Sequence, residues 1–459
     1  MTRDSIRRFA ENQIAPRSEQ HPKLLESAEG RPAHDHLVEL FAQRKQSCRR
    51  PNLEITSDQE VSMLKGIKVL SFTHFLQGPA AVQMLADAGA DVIKIEPPGG
   101  AFERGWSGLD AFKEGVSIFF LLGNRNQRSL SLDLRNEKAK KIVLHMVREA
   151  DVLVENYRPG VLERLGFGYA DMKAVNPRLV YCSCSGYGSS GPYLKRPGQD
   201  MLLQAMSGMT MLTGGADAPP TPVGSAIVDQ HAAALAAFGV VSALLSRQLT
   251  GRGALVESNL LNAALDLQIE PFTYYLNKGR LWARTDPPLG SRFHPAPYGI
   301  YRTADGWIAI SLTPISQMAA ALDYPPLAAF NDLKDPMRRR DEIHHIIYER
   351  VQTRKTAEWI QIFDAHNIWH APVNDYEEVE TDPQVAHNKM IMTVEHPQAG
   401  EVRLLAHPVR YDGEAPPLRR LPPRQGEHTR EILSELGYAA DEIDALRDGG
   451  IAITEKAVP

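Results

Sequence analysis

The chain has 459 residues, of which 43% are hydrophobic and 23% charged, and its formal net charge at pH 7 is −5. This composition is ordinary for a soluble globular protein, and the length predicts more than one domain. The net charge gives no reason to expect a nucleic-acid or membrane-surface partner, although it leaves room for locally basic pockets. No apolar run approaches the ~20 residues that cross a bilayer, so we expect no membrane partner. Three cysteines cannot cross-link a chain of this size, which predicts a cytoplasmic location.

After a polar and charged opening, residues 1–64, which we interpret as an N-terminal extension, strands and helices alternate. Residues 67–72 and 91–96 are predicted strands, and Gly78 opens a helix between them that Gly89 ends. A strand, a helix and a strand within about thirty residues form a βαβ unit, which closes right-handed in a parallel sheet.

The same alternation recurs further along the chain. Strands are predicted at residues 129–134, 151–156 and 179–183, and helices at 137–149, 161–165 and 229–248. The predicted fold class is α/β, with a doubly wound, Rossmann-like large domain whose ligands bind beyond the carboxyl ends of the strands.

We also expect a smaller α+β domain. Residues 299–303 and 307–312 flank Asp305-Gly306, a dipeptide typical of a hairpin turn. The predicted boundaries assign to the large domain residues 65–256 and 375–459, and to the small domain and its return linker residues 257–374.

Asp200 follows the turn Pro197-Gly198 and precedes an apolar run, residues 201–206. The run predicts a mostly buried helix, at whose start backbone N–H groups would hold the carboxylate ionised and in place. Taken alone, this pattern favours a simple helix N-cap. A catalytic interpretation of Asp200 depends on motifs elsewhere in the chain.

Eight short motifs follow one another between about residues 66 and 450. They are Gly78-Pro79 and residues 85–100, 124–133, 154–160, 185–192, 250–253, 371–374 and 426–429. Together, and in this order, they resemble the class III CoA-transferases, the family that includes formyl-CoA:oxalate and carnitine CoA-transferases.

The resemblance implies that Asp200 is the nucleophile of a CoA-transferase. It would attack an acyl-CoA thioester, form a mixed anhydride, and then form an aspartyl-CoA thioester from which CoA passes to an acceptor acid. Aspartates are ordinarily ionised near pH 7, so the attack needs no general base. The resemblance further implies coenzyme A, entering as the acyl-CoA substrate, a carboxylic acid as second substrate, no metal, and an interlocked homodimer.

A set of CoA-binding residues is also implied by the resemblance. They are His74, Gln77, Arg128, Asn156, Tyr157, Arg164 and Leu165. The two arginines are suited to neutralising CoA phosphates, and the tyrosine ring to packing on the pantetheine arm or the adenine.

The chain departs from the oxalate enzymes of the family at several positions. Leu76 stands where those enzymes have glutamine, and Gln77 occupies the next position. Gln127 replaces a usual lysine, and the nearest counterpart of their glycine-rich active-site loop is residues 289–294. These departures predict an acceptor acid other than oxalate.

Three other functions are alternatives to CoA transfer. An α-methylacyl-CoA racemase, from the same superfamily, has a proton-transferring histidine where this chain has Gln199, although Asp229 matches its second acid. An NAD-dependent dehydrogenase carries Gly-x-Gly-x-x-Gly after the first strand, a pattern that residues 72–79 lack. The third is a non-catalytic binding protein descended from the enzyme, which the retention of Asp200 disfavours.

Overall fold

The computed structural model describes residues 62–331 and 336–454. The predicted N-terminal extension lies outside the described residues except for its last three positions. The domain boundaries drawn at residues 65, 257 and 375 stay predictions.

The described chain alternates strands and helices over most of its length. The strands are β1 (Lys68–Phe72), β2 (Asp91–Glu96), β3 (Phe112–Lys113), β4 (Val116–Ser117), β5 (Gln127–Leu132), β6 (Val152–Glu155), β7 (Val180–Ser185), β8 (Leu255–Asn259), β9 (Gly299–Arg302), β10 (Trp307–Ile310), β11 (His370–Pro372), β12 (Ile391–His396), β13 (Gly400–Leu405) and β14 (Ala452–Ile453). The α-helices are α1 (Gln77–Asp87), α2 (Ile118–Leu122), α3 (Glu137–Glu149), α4 (Val161–Leu165), α5 (Tyr169–Val175), α6 (Asp200–Met206), α7 (Ile227–Thr250), α8 (Leu260–Asp266), α9 (Ile269–Lys278), α10 (Ile315–Ala321), α11 (Arg340–Val351), α12 (Thr356–Ala365), α13 (Tyr376–Thr381), α14 (Pro383–His387), α15 (Thr429–Glu435) and α16 (Ala440–Asp448).

A seven-stranded sheet has the spatial order β14-β5-β2-β1-β6-β7-β8. All neighbours pair in parallel except β14, which runs antiparallel to β5. The α/β class with a large, mostly parallel sheet is thereby confirmed. From β1 the chain winds outward through β2 to β5, and from β6 it winds the other way. In this sheet the winding reverses between β1 and β6, and ligands of doubly wound sheets typically bind at the carboxyl ends of the strands at such a point.

Both faces of the sheet are buried, because alternate residues of each strand point to opposite sides. Leu70 and Phe72 of β1 pack into one apolar cluster with residues of α3, α15 and α16. Val69 packs into a second cluster with residues of α1 and α7. Strands covered by helices on both sides read as nearly continuous apolar runs, which explains why β1 was recognisable from the sequence.

Helix α7 corrects one expectation. It is long and apolar enough to cross a bilayer by length and composition, whereas no such run was expected. In the structure 44% of its apolar window is buried, and it packs against α1, β7, β8 and α8. Ala233, Ala236 and Ala237 lie in the cluster shared with α1, so the small side chains serve close helix packing.

A separate three-stranded sheet contains the predicted hairpin. β9 and β10 pair antiparallel across Asp305-Gly306, and the N–H of Gly306 donates to Oγ1 of Thr303 at 2.9 Å. β11, which the sequence did not predict, pairs with the other edge of β10. Tyr301, Ile308 and Trp359 lie in its own apolar cluster with α10, α11 and α12.

Candidate active site

Two glycines bring Asp200 to the carboxyl edge of the large sheet. Gly186 directly follows β7, and a Cβ built on it would lie 2.7 Å from the Cα of Gly198. Because only glycine lacks a Cβ, only a pair of glycines lets these two backbone segments touch. The turn before Asp200 is therefore fixed against the end of β7. Gln199 is the N-cap of α6 and Asp200 is its first helical residue, so the simple N-cap interpretation does not hold.

The carboxylate of Asp200 is held by the following long helix. Its Oδ2 accepts hydrogen bonds from the backbone N–H groups of Val228, at 2.7 Å, and Asp229, at 3.0 Å, in the first turn of α7. Its Oδ1 accepts a hydrogen bond from Nε2 of Gln204 at 2.6 Å. Asp200 is only 7% exposed. The aligned peptide dipoles of the 24-residue α7 favour a negative charge at this point.

Helix α6 is less buried than the sequence predicted. Asp200, Leu203 and Gln204 are buried, whereas Met201 is 58% and Leu202 is 41% exposed. The prediction of a mostly buried helix is wrong because the apolar run covers both faces of a short helix, and only one face packs on α7 and α8. The other face leaves an apolar surface beside Asp200.

A second carboxyl group lies close to Asp200. Burial, and then the negative charge of Asp200, raise the pKa of Asp229 from 3.8 to about 7. Asp229 therefore gains and loses a proton near neutral pH. The sequence pointed to Asp229 only as the counterpart of a racemase acid, since nothing in the local pattern shows that positions 29 residues apart meet.

Glu155, the last residue of β6, is a buried acid that the sequence did not single out. Its carboxyl group accepts hydrogen bonds from Oγ of Ser183, at 2.5 Å, and from the N–H of Tyr157, at 3.0 Å. Burial raises the pKa of Glu155 to about 7, against the effect of these hydrogen bonds. The available sequence signal was an acid at the end of an otherwise apolar buried strand, Val152–Glu155.

Among the described residues, no group of three His, Cys, Asp or Glu side chains is arranged to hold a metal ion.

Three of the predicted CoA-binding residues meet where the winding of the sheet reverses. Asn156 accepts the N–H of His74 at 2.9 Å and donates its side-chain amide to the carbonyl of His74 at 2.8 Å. The rings of His74 and Tyr157 lie 5.0 Å apart, centroid to centroid. Burial lowers the pKa of His74; the charge of Glu103 opposes this and that of Lys94 reinforces it. The lowered pKa favours a neutral ring at pH 7, and this ring packs against the rings of Phe75 and Tyr157.

Gln77, Arg164 and Leu165 lie on helices that start near the same edge. Gln77, the first residue of α1, is 5% exposed, and its Nε2 has no hydrogen-bond partner within the described chain. A buried unpaired donor is costly and calls for an acceptor. Arg164 in α4 is exposed and forms no ion pair with residues 62–331 or 336–454. Leu165 packs against the apolar cluster beneath it.

Arg128 is separated from the other predicted CoA-binding residues. It lies at the start of β5, at the amino edge of the sheet, next to Asp91 at the start of β2. Its guanidinium is paired with Asp91, Glu431 and Glu435 at distances of 2.6–3.0 Å. The structure therefore places Arg128 in a fully occupied ion-pair network, away from His74 and Asn156.

A buried ion pair, missed from the sequence, supports the loop after β1. Nζ of Lys94 lies 3.1 Å from Oε1 of Glu103, and both side chains are 0% exposed. The same Nζ donates to the carbonyl of Thr73 at 2.8 Å. Oε2 of Glu103 accepts the N–H of Phe75, whose φ of 59° lies in the left-handed region. These contacts fix the backbone on both sides of His74.

Comparison with known proteins gives a single family. The family model described as "CoA-transferase family III" matches residues 64–429. This match extends over most of the described chain and contains every residue predicted here for catalysis or CoA binding.

Relatives and solved structures agree with the family match. The human "Succinyl-CoA:glutarate CoA-transferase" is 34% identical over 400 residues, which cover 85% of this chain and 90% of that protein. The "Acetyl-CoA:oxalate CoA-transferase" of Acetobacter aceti is 33% identical over 376 residues, 80% of this chain and 94% of that one. A crystal structure of a CAIB/BAIF family protein from Brucella suis superposes with a TM-score of 0.70 at 30% identity, covering 82% of this chain and 100% of that chain. The chain therefore belongs to CoA-transferase family III and is an enzyme of that class.

Proposed function

We propose that this enzyme moves CoA from an acyl-CoA thioester to a free carboxylic acid through covalent intermediates on Asp200. The observation that carries the proposal is the pair of N–H groups, from Val228 and Asp229, that meet Oδ2 of Asp200 at 2.7 and 3.0 Å. These distances suit an oxyanion hole. When a nucleophile attacks the carbonyl carbon of an aspartyl intermediate, negative charge develops on this oxygen, and both donors are already in place.

Four steps complete the proposed reaction. Oδ1 of Asp200 attacks the thioester carbonyl and the C–S bond breaks, which gives a mixed anhydride and CoA thiolate. The thiolate attacks the aspartyl carbonyl and forms aspartyl-CoA, and the donor acid leaves as a carboxylate that carries Oδ1. The acceptor carboxylate attacks the aspartyl thioester and gives a second anhydride and CoA thiolate. The thiolate attacks the acceptor's acyl carbonyl, which yields the new acyl-CoA and restores the Asp200 carboxylate with one oxygen from the acceptor.

We place the acyl-CoA along the carboxyl ends of β1 and β6. The buried Nε2 of Gln77 is an unpaired donor for a ligand oxygen, and the ring pair of His74 and Tyr157 offers an apolar surface. The exposed guanidinium of Arg164 is suited to a phosphate. Arg128 has no such capacity left, because three carboxylates already occupy it.

A racemase is the second candidate function, because Asp229 titrates near neutral pH beside Asp200. Proton transfer at an α-carbon needs an acid and a base that can exchange roles. Gln199, next to Asp200, has an amide that does neither. Exchange of the α-hydrogen of a 2-methylacyl-CoA in deuterated buffer, without CoA transfer, would favour the racemase.

We also propose that two copies form a homodimer. Phe238, Leu245 and Leu249 are each more than two-thirds exposed on α7, and their spacing puts them on one face of the helix. Apolar surface of this kind on a core helix is typical of an interface. Light scattering on the purified protein measures the mass directly. A monomer at micromolar concentration contradicts the dimer, whereas Phe238→Glu is expected to split a dimer into monomers.

A cytoplasmic location and the absence of a metal complete the proposal. Cys182 and Cys184 are free thiols buried in β7, which is in keeping with a reducing compartment. The four steps use coenzyme A only as the acyl carrier and involve no metal ion.

The proposed reaction is tested with pairs of an acyl-CoA and a free acid, and both products are followed by mass spectrometry. Succinyl-CoA with glutarate is the first pair, because a relative carries those names, and acetyl-CoA with oxalate is the second. We expect a new acyl-CoA in equal amount to the donor consumed, and its loss in Asp200→Asn. Hydrolysis alone, or a fully active Asp200→Asn, would contradict the proposal.

A further inference from the structure

A cavity of about 910 Å³ lies beside the end of α9 and is bordered by Arg292 and Phe293 of the loop 289–294, to which the proposed steps assign no role. Small-molecule sites in proteins typically enclose roughly 300–1,000 Å³. Three cationic side chains line this one, Lys278, Arg280 and Arg292, together with the rings of Tyr274 and Trp282. The lining therefore combines positive charge with aromatic surface.

Backbone carbonyls accept hydrogen bonds from the guanidinium of Arg292, but they do not neutralise its positive charge. Its Nε donates to the carbonyl of Trp282 at 2.6 Å, and its Nη1 to the carbonyl of Met211 at 3.3 Å. Burial, and the positive charges of Arg284 and Arg340, lower the pKa of Arg292. Like charges brought this close repel one another, so an anion bound among them would be stabilised electrostatically.

The acids of this region that the structure describes are engaged elsewhere. Glu270 of α9 lies 3.6 Å from Nε2 of His294 and accepts from the hydroxyl of Tyr274 at 3.3 Å. Asp341 pairs with Arg340, and its side chain is 69% exposed. Within the described chain, no carboxylate forms an ion pair with the three cations that line the cavity.

We propose that this cavity binds an organic anion in which a carboxylate or phosphate group is attached to an apolar or aromatic body. The guanidinium of Arg292 fits the planar geometry of either anionic group, and Lys278 and Arg280 add positive charge. Trp282, 46% exposed, and Phe293 supply an apolar wall for the body. A free carboxylic acid and a nucleotide share this chemistry.

Trp282 makes the binding measurable without catalysis. The full-length protein is titrated, in the absence of acyl-CoA, with phenylacetate, with adenosine 3′,5′-bisphosphate and with inorganic phosphate, while tryptophan fluorescence is recorded. The chain has five tryptophans, so Trp282→Phe identifies the signal that comes from the cavity. The same titrations on Asp200→Ala separate a failure of this site from a failure of CoA transfer.

Two variants test the cationic lining. Lys278→Met/Arg280→Met removes two exposed charges, and Arg292→Lys keeps a charge but loses the planar fork. Each is expected to weaken binding by about tenfold or more. Arg135→Met, whose side chain is 83% exposed and is paired with Asp133, is the matched control and should bind as the wild type does.

The outcomes divide cleanly. Binding of either organic anion that both variants weaken supports the site, and the arm that binds says whether the natural ligand is a carboxylic acid or a nucleotide. The proposal is overturned by the absence of binding in all three titrations, by unchanged affinity in both variants, or by inorganic phosphate binding as tightly as the organic anions.

Discussion

Asp229 donates its backbone N–H to Oδ2 of Asp200 at 3.0 Å, while its own carboxyl group lies close enough for the charge of Asp200 to raise its pKa. The amide stabilises negative charge on Asp200, whereas the ionised side chain of Asp229 destabilises that charge. The amide is fixed by α7, whereas the charge of the side chain depends on pH. Below about pH 7 the side chain is neutral, and only the favourable contact remains.

The stability of the fold should therefore depend on pH through Asp229. Its pKa is raised from 3.8 to about 7, so between these values the folded state keeps a proton that the unfolded chain has released. Stability falls as pH rises through this range and levels off above it. Asp229→Asn removes this pH dependence. Relative to the wild type, the variant's free energy of unfolding should therefore increase with pH, to an advantage of roughly 1–3 kcal/mol at pH 8.

Denaturant unfolding at pH 5, 7 and 8 measures this difference. Asp171→Asn, at an exposed position of α5, is the control and should differ from the wild type by the same small amount at each pH. An advantage of Asp229→Asn that does not increase with pH contradicts the pKa assigned to Asp229.

Arg164 and Arg128 should behave differently although both were predicted to bind CoA. Arg164→Met removes an exposed cation proposed to meet a phosphate, so KM for acyl-CoA should rise about tenfold with an unchanged melting temperature. Arg128→Met leaves Asp91, Glu431 and Glu435 without their cation, so it should lower the melting temperature and leave KM unchanged. Steady-state kinetics and thermal unfolding of both variants decide the matter, and the reverse pattern would show that the assignments are exchanged.

Removing one partner of the Lys94–Glu103 ion pair should destabilise the fold strongly, whereas replacing both partners should destabilise it much less. Lys94→Met leaves a buried carboxylate without its cation, for which a loss of about 3–5 kcal/mol of unfolding free energy is typical. Lys94→Met/Glu103→Gln removes both charges and keeps an acceptor for the N–H of Phe75, so it should regain more than half of that loss. Chemical denaturation of the two variants tests this, and a double variant no more stable than the single one speaks against the account.

Asn156 should control acyl-CoA binding through its two hydrogen bonds to the backbone of His74. Asn156→Ala frees the loop after β1, and we expect KM for acyl-CoA to rise by about tenfold. Asn176 offers a matched control, because its side chain also bridges two backbone positions, the carbonyls of Val147 and Ala150, away from this edge. Asn176→Ala should destabilise to a similar degree without changing KM, and equal effects of the two variants on KM would contradict the role of Asn156.

The sequence predicted the central elements of the fold well. β2 (Asp91–Glu96) and α3 (Glu137–Glu149) have the predicted bounds, because each has a clear period and α3 is capped by Asn136. β5 starts two residues earlier than predicted, at Gln127. Gln127 and Arg128 are polar but buried, and Arg128 is buried only because acids from β2 and α15 surround it. Such partners cannot be seen in a local pattern.

The sequence indicated some residues of the candidate site but not its geometry, and it missed Glu155 and the Lys94–Glu103 pair. Asp200 and Asn156 were found through motifs, and the structure shows their contacts. The donors to Asp200 come from Val228 and Asp229, 28 and 29 positions away, and backbone N–H groups leave no signature in a sequence. The Gly186–Gly198 contact was equally hidden, since both glycines read simply as turn residues.

The transfer of oxygen from the acceptor acid to Asp200 tests the central claim most directly. A single turnover with an acceptor acid labelled with ¹⁸O in its carboxylate is followed by digestion and mass analysis of the peptide that contains Asp200. The proposed steps predict one ¹⁸O in the Asp200 carboxylate, because its original Oδ1 leaves with the donor acid. New acyl-CoA formed in full amount with no label in Asp200 would contradict a covalent role for this residue.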